Sequence, residues 1–380
     1  MATMPVFEPS EARYAAICAN MARTGDYLVP RFTYKGKYQS FDGKPPLVFQ
    51  SGAVLCHVFG VNELSARLTP FLSFLLLLGL LWHVVRKLAG RAQALLAVGI
   101  CATSIALYAT AGVCMTDVPL SCCVAGSLLM YALYVKERKI GCVFAIGALL
   151  GCGMLVKGPV AVVLVALPVA VDAFLNRRWR CVFDWRWIVA AVVLLAIAAP
   201  WFILMERQTP GFLRYFFVNE NLLRFLVHDY GDKYGAGRET FRGMAIVWMF
   251  VVALPWSLLP LRDIVRRKWD AFDARGFFFV SFASITVFWC LTSRVPMPYL
   301  LPAVPMFAAW LATRNSRIRL LAWRVLPFAS LAAAVSTAAI LTGGLLLTDK
   351  MQGKDAPKKI GKKYFSYEFY HGPWGEGAPQ

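Results

Sequence analysis

The side chains able to do chemistry are few, and they lie in the polar stretches of an otherwise apolar chain. The first stretch is Ser40-Phe41-Asp42-Gly43-Lys44-Pro45-Pro46-Leu47, a wet, cationic run ahead of a ladder of apolar helices. It offers a carboxylate, Asp42, and an ammonium group, Lys44; the plain alternative is that Lys44 snorkels towards lipid headgroups and the prolines only kink the chain. Asp117 stands at the outward end of an apolar run, where an acid is costly unless paired or wet, so it either works in a site or caps the helix that follows. Lys157 precedes Gly158-Pro159 at a turn, which suits a structural contact or a lipid phosphate better than chemistry. Arg294 and Tyr299 flank a segment holding Pro296, Pro298, Pro302 and Pro305. A helix cannot run regularly there, and irregular backbone at membrane depth usually lines a cavity. For Tyr299 the alternative is an interfacial anchor. Segment 206–242 is the most polar internal region, with Glu220, Arg224, Asp229, Lys233 and Arg238 interleaved with Phe212, Tyr215, Phe216 and Tyr230. That mixture suits an interfacial lid over an amphiphilic substrate, and equally a headgroup-facing connector.

Two short helices position the first of these groups. Pro9-Ser10-Glu11 reads as a helix start, with Ser10 as N-cap and Glu11 where the helix dipole favours negative charge. Tyr14, Ile17, Cys18 and Met21 follow at i, i+3, i+4 and i+7, marking one apolar face that Gly25 can end. A second apolar run extends from Leu47 to Phe59. Both are too short to span a bilayer, which takes about 20 residues, so both are expected to lie at the interface, flanking Asp42 and Lys44.

Composition bounds the class. Of 380 residues, 59% are apolar and 16% charged, with a mean hydropathy of +0.57, which excludes a soluble fold and indicates an all-α, polytopic integral membrane bundle. The net charge of +19 does not signal nucleic acid. Its Lys and Arg sit in short loops between apolar runs, where they set topology and meet anionic lipid. The ten cysteines lack metal-ligand spacing, and the four histidines have no helical partner, so neither a metal site, a disulfide framework nor a cofactor is expected.

Ten candidate spans follow, at roughly 68–85, 92–110, 118–135, 140–156, 159–175, 187–205, 243–261, 276–292, 298–312 and 324–347. Alternate connections are basic and should be cytoplasmic: Arg86-Lys87, Lys136 to Lys139, Arg177 to Arg180, the 262–275 loop and Arg314 to Arg324. Asp117, Lys157, segment 206–242, Arg294 and the N-terminal region then share the outer face. The chain divides into an external region, 1–67, a transmembrane bundle, 68–347, and a basic tail, 348–380. Residues 1–65 carry Arg13, Arg23, Arg31, Lys35, Lys37 and Lys44, which resist translocation without a preceding span. A first transmembrane helix is therefore expected upstream of Met1, and the genomic reading frame tests this. The tail, with Lys358-Lys359 and Lys362-Lys363, falls on the outer side too, against the charge rule.

Several motifs, taken in order, resemble a known superfamily. Pro9 to Ala15, Gly25-Asp26, Gly43-Lys44-Pro45-Pro46-Leu47 and Asn62 to Leu68 resemble the first external loop of bacterial aminoarabinose transferases, GT-C membrane glycosyltransferases to which protein O-mannosyltransferases are more distant relatives. Thr116-Asp117-Val118-Pro119, Lys157-Gly158-Pro159, Ala199-Pro200-Trp201, Asn219 to Phe225, Leu254-Pro255-Trp256-Ser257 and Pro298-Tyr299-Leu300-Leu301-Pro302 are similar to the same pattern.

The resemblance implies transfer of a sugar from a polyprenyl-phosphate donor to a cell-envelope lipid (lipid A-like) or glycan, on the outer face of a bacterial inner membrane. Lys44 would bind the leaving phosphate with Arg13, Arg238 and Arg294, since preorganised cations offset the charge that grows there. Tyr299 and Lys157 would complete the substrate-binding set, and Glu11, Asp42 and Asp117 are the candidate catalytic carboxylates. The superfamily commonly has an Asp-Glu pair where this chain has Ser10-Glu11, and serine cannot act as a carboxylate base. Either Glu8, Glu11 or Asp42 substitutes, or an acceptor that is itself a phosphate needs no base, or activity is lost. The alternatives are protein O-mannosylation and a non-catalytic or transporter-like lipid-binding protein.

Overall fold

The structure is a computed structural model that describes residues 6, 9–223, 239–260, 276–292, 294–314, 316–351 and 365–373. Among the described residues the regular structure is helical apart from one two-stranded hairpin.

The external region is a small module with its own core. Helix α1 (Ser10–Thr24) packs against α2 (Leu47–Phe59), and strands β1 (Arg31–Tyr34) and β2 (Lys37–Ser40) pair antiparallel between them in sequence. Lys35 and Gly36, at φ +53° and +78°, form the two-residue turn, the positive-φ geometry that matches strand twist. Tyr14, Phe32, Phe41 and Phe49 form a buried aromatic cluster with centroid spacings of 5.3–6.0 Å. The expected apolar face of α1 is buried, and Gly25 ends the helix at φ +70°. Two details differ from expectation. Pro9, not Ser10, occupies the cap position, without a side-chain cap bond, because its backbone is already helical. Helix α1 is also buried almost all round, since a helix at Phe365–His371 packs on it as well.

That C-terminal helix is fastened by polar groups. The Glu368 carboxylate, fully buried, accepts bonds from Asn20 Nδ2 (2.7 Å), the Thr33 amide (2.8 Å) and Thr33 Oγ1 (3.1 Å). The Arg23 guanidinium donates to the carbonyls of Glu368, Phe369 and Tyr370.

Helix α3 (Glu63–Ala89) leaves the module through a capping box between Asn62 and Ser65, so the boundary expected at residue 67 falls inside a continuous helix. The bundle is built on α6 (Asp117–Glu137), which packs against α3, α7 (Ile140–Lys157), α8 (Val160–Leu175) and the 3₁₀ segment Met297–Ala303. A short helix, α9 (Trp179–Val182), leads to α10 (Trp187–Gln208), which lies along α7. Their closeness rests on Gly147 and Gly151: an added Cβ would stand 2.6 Å from the Ala190 carbonyl at the first and 2.9 Å from Ile197 at the second. This is the small-xxx-small packing that substitutes for hydrophobic drive in lipid.

Among the described residues five helices are long and apolar enough to cross a membrane: Glu63–Ala89, Asp117–Glu137, Ile140–Lys157, Trp187–Gln208 and the stretch Arg319–Ala339 of the helix Ser316–Met351. Other expected spans are shorter or broken. The one at 92–110 divides at Ser104 into α4 (Arg91–Thr103) and α5 (Ile105–Thr110), where the Ile105 amide bonds instead to the Leu254 carbonyl (2.9 Å). The span at 243–261 is helical over Met244–Val252 and turns at Leu254-Pro255, which frees that carbonyl. The proline-rich segment is 3₁₀ over Met297–Ala303 and becomes α-helical only at Val304–Thr313.

Candidate functional site

Helix ends on one side of the bundle converge on a polar cleft. Asp117 is the first residue of α6 and Lys157 the last of α7; Lys157 Nζ stands 2.7 Å from Asp117 Oδ1, both side chains 7% exposed. The same ammonium lies 3.9 Å from the Tyr299 ring centroid, and Trp289 backs that ring at 4.7 Å. Tyr299 belongs to the 3₁₀ segment Met297–Ala303, which packs against α6. Lys44, between β2 and the Pro45-Pro46 start of α2, reaches in to place Nζ 3.2 Å from Glu220 Oε1. Arg294, buried, directs Nε and Nη2 at Glu239 Oε1 (3.1 and 2.9 Å). The cleft lined by Lys44, Lys157, Val160, Glu220, Asn221, Trp289, Arg294 and Tyr299 holds about 420 Å³ of atom-free space, its open mouth included.

Glu220 and Asn221 belong to a π-helix, Tyr215–Leu223, a winding that often marks functional sites. Gly158 brings it close: at φ +82°, an added Cβ would stand 2.7 Å from the Phe216 ring. Phe216 in turn packs with Phe202, Phe212 and Met205, so the Lys157-Gly158-Pro159 turn seats the segment carrying Glu220.

Five of the residues singled out in the sequence therefore come together: Lys44, Asp117, Lys157, Arg294 and Tyr299. Three others do not line the cleft. Glu11 is buried, and Arg67 grips both its oxygens (Nε at 2.7 Å, Nη2 at 3.0 Å) while the Cys114 amide donates to Oε1 (3.0 Å). It thus ties α1 to α3 and to the loop that leads to Asp117, the work of a positioning group. Arg13 lies over the Tyr14 and Phe41 rings, and Asp42 is buried beside them in the chain. Arg238 lies outside the described residues. Sequence reading left Glu239 and Trp289 unremarked, and it gave Glu220 and Asn221 no role of their own. The available signal was charge matching, since each cation brought to the cleft wall meets a carboxylate.

Three cations at one cleft wall suit an anionic ligand. Among the described residues no group of three or more His, Cys, Asp or Glu is placed to hold a metal ion.

This architecture is a GT-C type helical membrane bundle. ArnT from Cupriavidus metallidurans bound to undecaprenyl phosphate superposes with a TM-score of 0.70 at 22% identity, over 97% of this chain and 64% of that one. The apo oligosaccharyltransferase of Archaeoglobus fulgidus gives 0.51 at 13% identity, over 99% and 53%. At the level of sequence, residues 43–204 match the family described as dolichyl-phosphate-mannose-protein mannosyltransferase. The chain is also similar to undecaprenyl phosphate-alpha-4-amino-4-deoxy-L-arabinose arabinosyl transferases, at 24% identity to that of Edwardsiella ictaluri (82% of this chain, 56% of the relative) and 26% to that of Pseudomonas fluorescens (81% and 55%). It thus spans little more than half the length of these relatives.

Proposed function

We propose that this chain is the membrane part of a glycosyltransferase that takes a sugar from a polyprenyl-phosphate donor and passes it to a cell-envelope lipid or glycan, on the membrane face that carries α1 and α2. The observation that carries this reading is the cleft in which Lys44, Lys157 and Arg294 converge beside Tyr299, at the ends of apolar helices. Transfer breaks the bond between the anomeric carbon and the phosphate oxygen, and the electron pair stays on that oxygen. Cations fixed beforehand in a poorly hydrated cleft offset the growing charge without reorganising, so they stabilise the transition state more than the ground state. Lys44 is the main such group, with Arg294 as a second and Tyr299 holding Lys157 in place.

The carboxylates favour an acceptor that is already an anion. Asp117 is engaged by Lys157 and Glu11 by Arg67, so neither carboxylate stands open to take a proton from an acceptor. A peptide hydroxyl would need deprotonation; a lipid phosphate oxygen attacks as it stands. Serine at position 10 is compatible with the second case, and it equally supports the rival reading of a lipid-binding protein without activity.

Transfer of radiolabelled sugar from polyprenyl-phosphate donors to envelope lipid, in membranes containing the chain or its Lys44→Ala variant, decides between them. Lys44-dependent label in lipid is the expected result. Retained polyprenyl-phosphate binding without transfer to any acceptor would overturn the transferase reading in favour of the silent one.

A further inference from the structure

The reaction changes the charge that the cleft must release. A sugar-linked polyprenyl phosphate is a diester with a single negative charge; after transfer the polyprenyl phosphate is a monoester carrying about −1.5 to −2 near neutral pH. The cations that speed bond breaking therefore hold the product more tightly than the donor, and without a competing anion the cleft would stall after one turnover. Lys157 and Arg294 have standing partners in Asp117 and Glu239. Asp117 is unsuited to exchange, because it opens the most buried of the five candidate membrane spans. Glu220 differs: it reaches Lys44 from the π-helix, and unlike Asp117 it lines the cleft wall beside its lysine.

Resting on the transferase reading above, we propose that Glu220 is the positioning residue that recaptures Lys44 and so expels the polyprenyl-phosphate product. The donor phosphate displaces the Glu220 carboxylate from Lys44 on loading. The anomeric carbon then moves to the acceptor oxygen, the phosphate oxygen takes the bonding electron pair, and an anionic acceptor loses the charge that the phosphate gains. Glu220 returns to Lys44 as the monoester departs, so that Lys44, like Lys157 and Arg294, again has a carboxylate partner.

The test uses the full chain in lipid nanodiscs, with undecaprenyl phosphate and an undecaprenyl phosphodiester as probes. Glu220→Gln, which keeps shape and removes charge, should lower the Kd for the monoester by about tenfold and that for the diester by much less. Transfer should begin with a burst of one equivalent and then slow, with kcat and KM falling together. Glu220→Asp, a shorter carboxylate, should fall between wild type and Glu220→Gln, and thermal melting establishes that each variant is folded. A folded Glu220→Gln variant with an unchanged monoester-to-diester ratio, or with weaker monoester binding, overturns the proposal. Lys44→Ala separates the two failures. If it leaves monoester binding unchanged, the transferase reading falls and this inference with it. If it weakens binding while Glu220→Gln does not tighten it, only the role of Glu220 falls.

Discussion

Lys157 is held by two kinds of force at once, an ion pair with Asp117 at 2.7 Å and the face of Tyr299 at 3.9 Å. The two respond differently to mutation. Asp117→Asn strands a buried ammonium and is expected to cost about 3–5 kcal/mol of stability, read as a drop in melting temperature in detergent. The double variant Asp117→Leu with Lys157→Met should recover most of that loss, since apolar residues pack where a buried pair stood, yet it should stay inactive if the pair shapes the donor site. Tyr299→Phe keeps the ring and should melt like wild type, whereas Tyr299→Leu should lose about 1–2 kcal/mol. For Lys44→Ala, the loss of one preorganised donor predicts a fall in transfer rate of about 10²-fold, measured under saturating donor. These residues could be found in the sequence because a charged group at the end of an apolar run is an anomaly wherever it occurs. Their partners were not legible: Glu220 meets Lys44 across 176 positions, and no local pattern announces that.

Among the elements, α6, α7, α8 and α10 follow directly from apolar length, and the bounds of α7 and α10 fall within a few residues of those expected. What the sequence hid was wherever one element completes another. The break at Ser104 is tolerated because a distant carbonyl, that of Leu254, receives the amide of Ile105. The hairpin went unread because its strands are only four residues each, though Lys35-Gly36 was a usable turn signal. Gly147 and Gly151 looked like ordinary apolar-run residues, yet they set the distance between α7 and α10. Gly147→Leu should separate these helices and lower the yield of folded protein, since the new side chain would meet backbone atoms at Ala190; size-exclusion profiles and melting curves report it. Gly158→Ala is strained both by its φ and by Phe216, so it should displace the π-helix and weaken donor binding more than it weakens the fold.

Over the whole molecule, the ends described are tied together through Glu368. Burial holds its carboxyl above the usual carboxylate range, while Asn20, Thr33 and the nearby Arg23 act in the opposite sense. With the folded value raised, the docked state binds more protons than the undocked one between the ordinary and the raised pKa, so docking weakens as pH rises through that window and strengthens as pH falls. Hydrogen exchange at Phe369 and Tyr370 should accordingly slow from neutral pH towards mild acid, after correction for intrinsic rates, and Glu368→Gln should abolish the excess dependence. The same contact bears on arithmetic rather than energy. Because Phe365–His371 rests on α1, both lie on one side of any bilayer the bundle crosses, and the chain between α2 and residue 365 must traverse it an even number of times. Every odd count of spans is thereby ruled out without reference to hydropathy or loop charge. The basic residues of the N-terminal module therefore share one compartment with Phe365–His371.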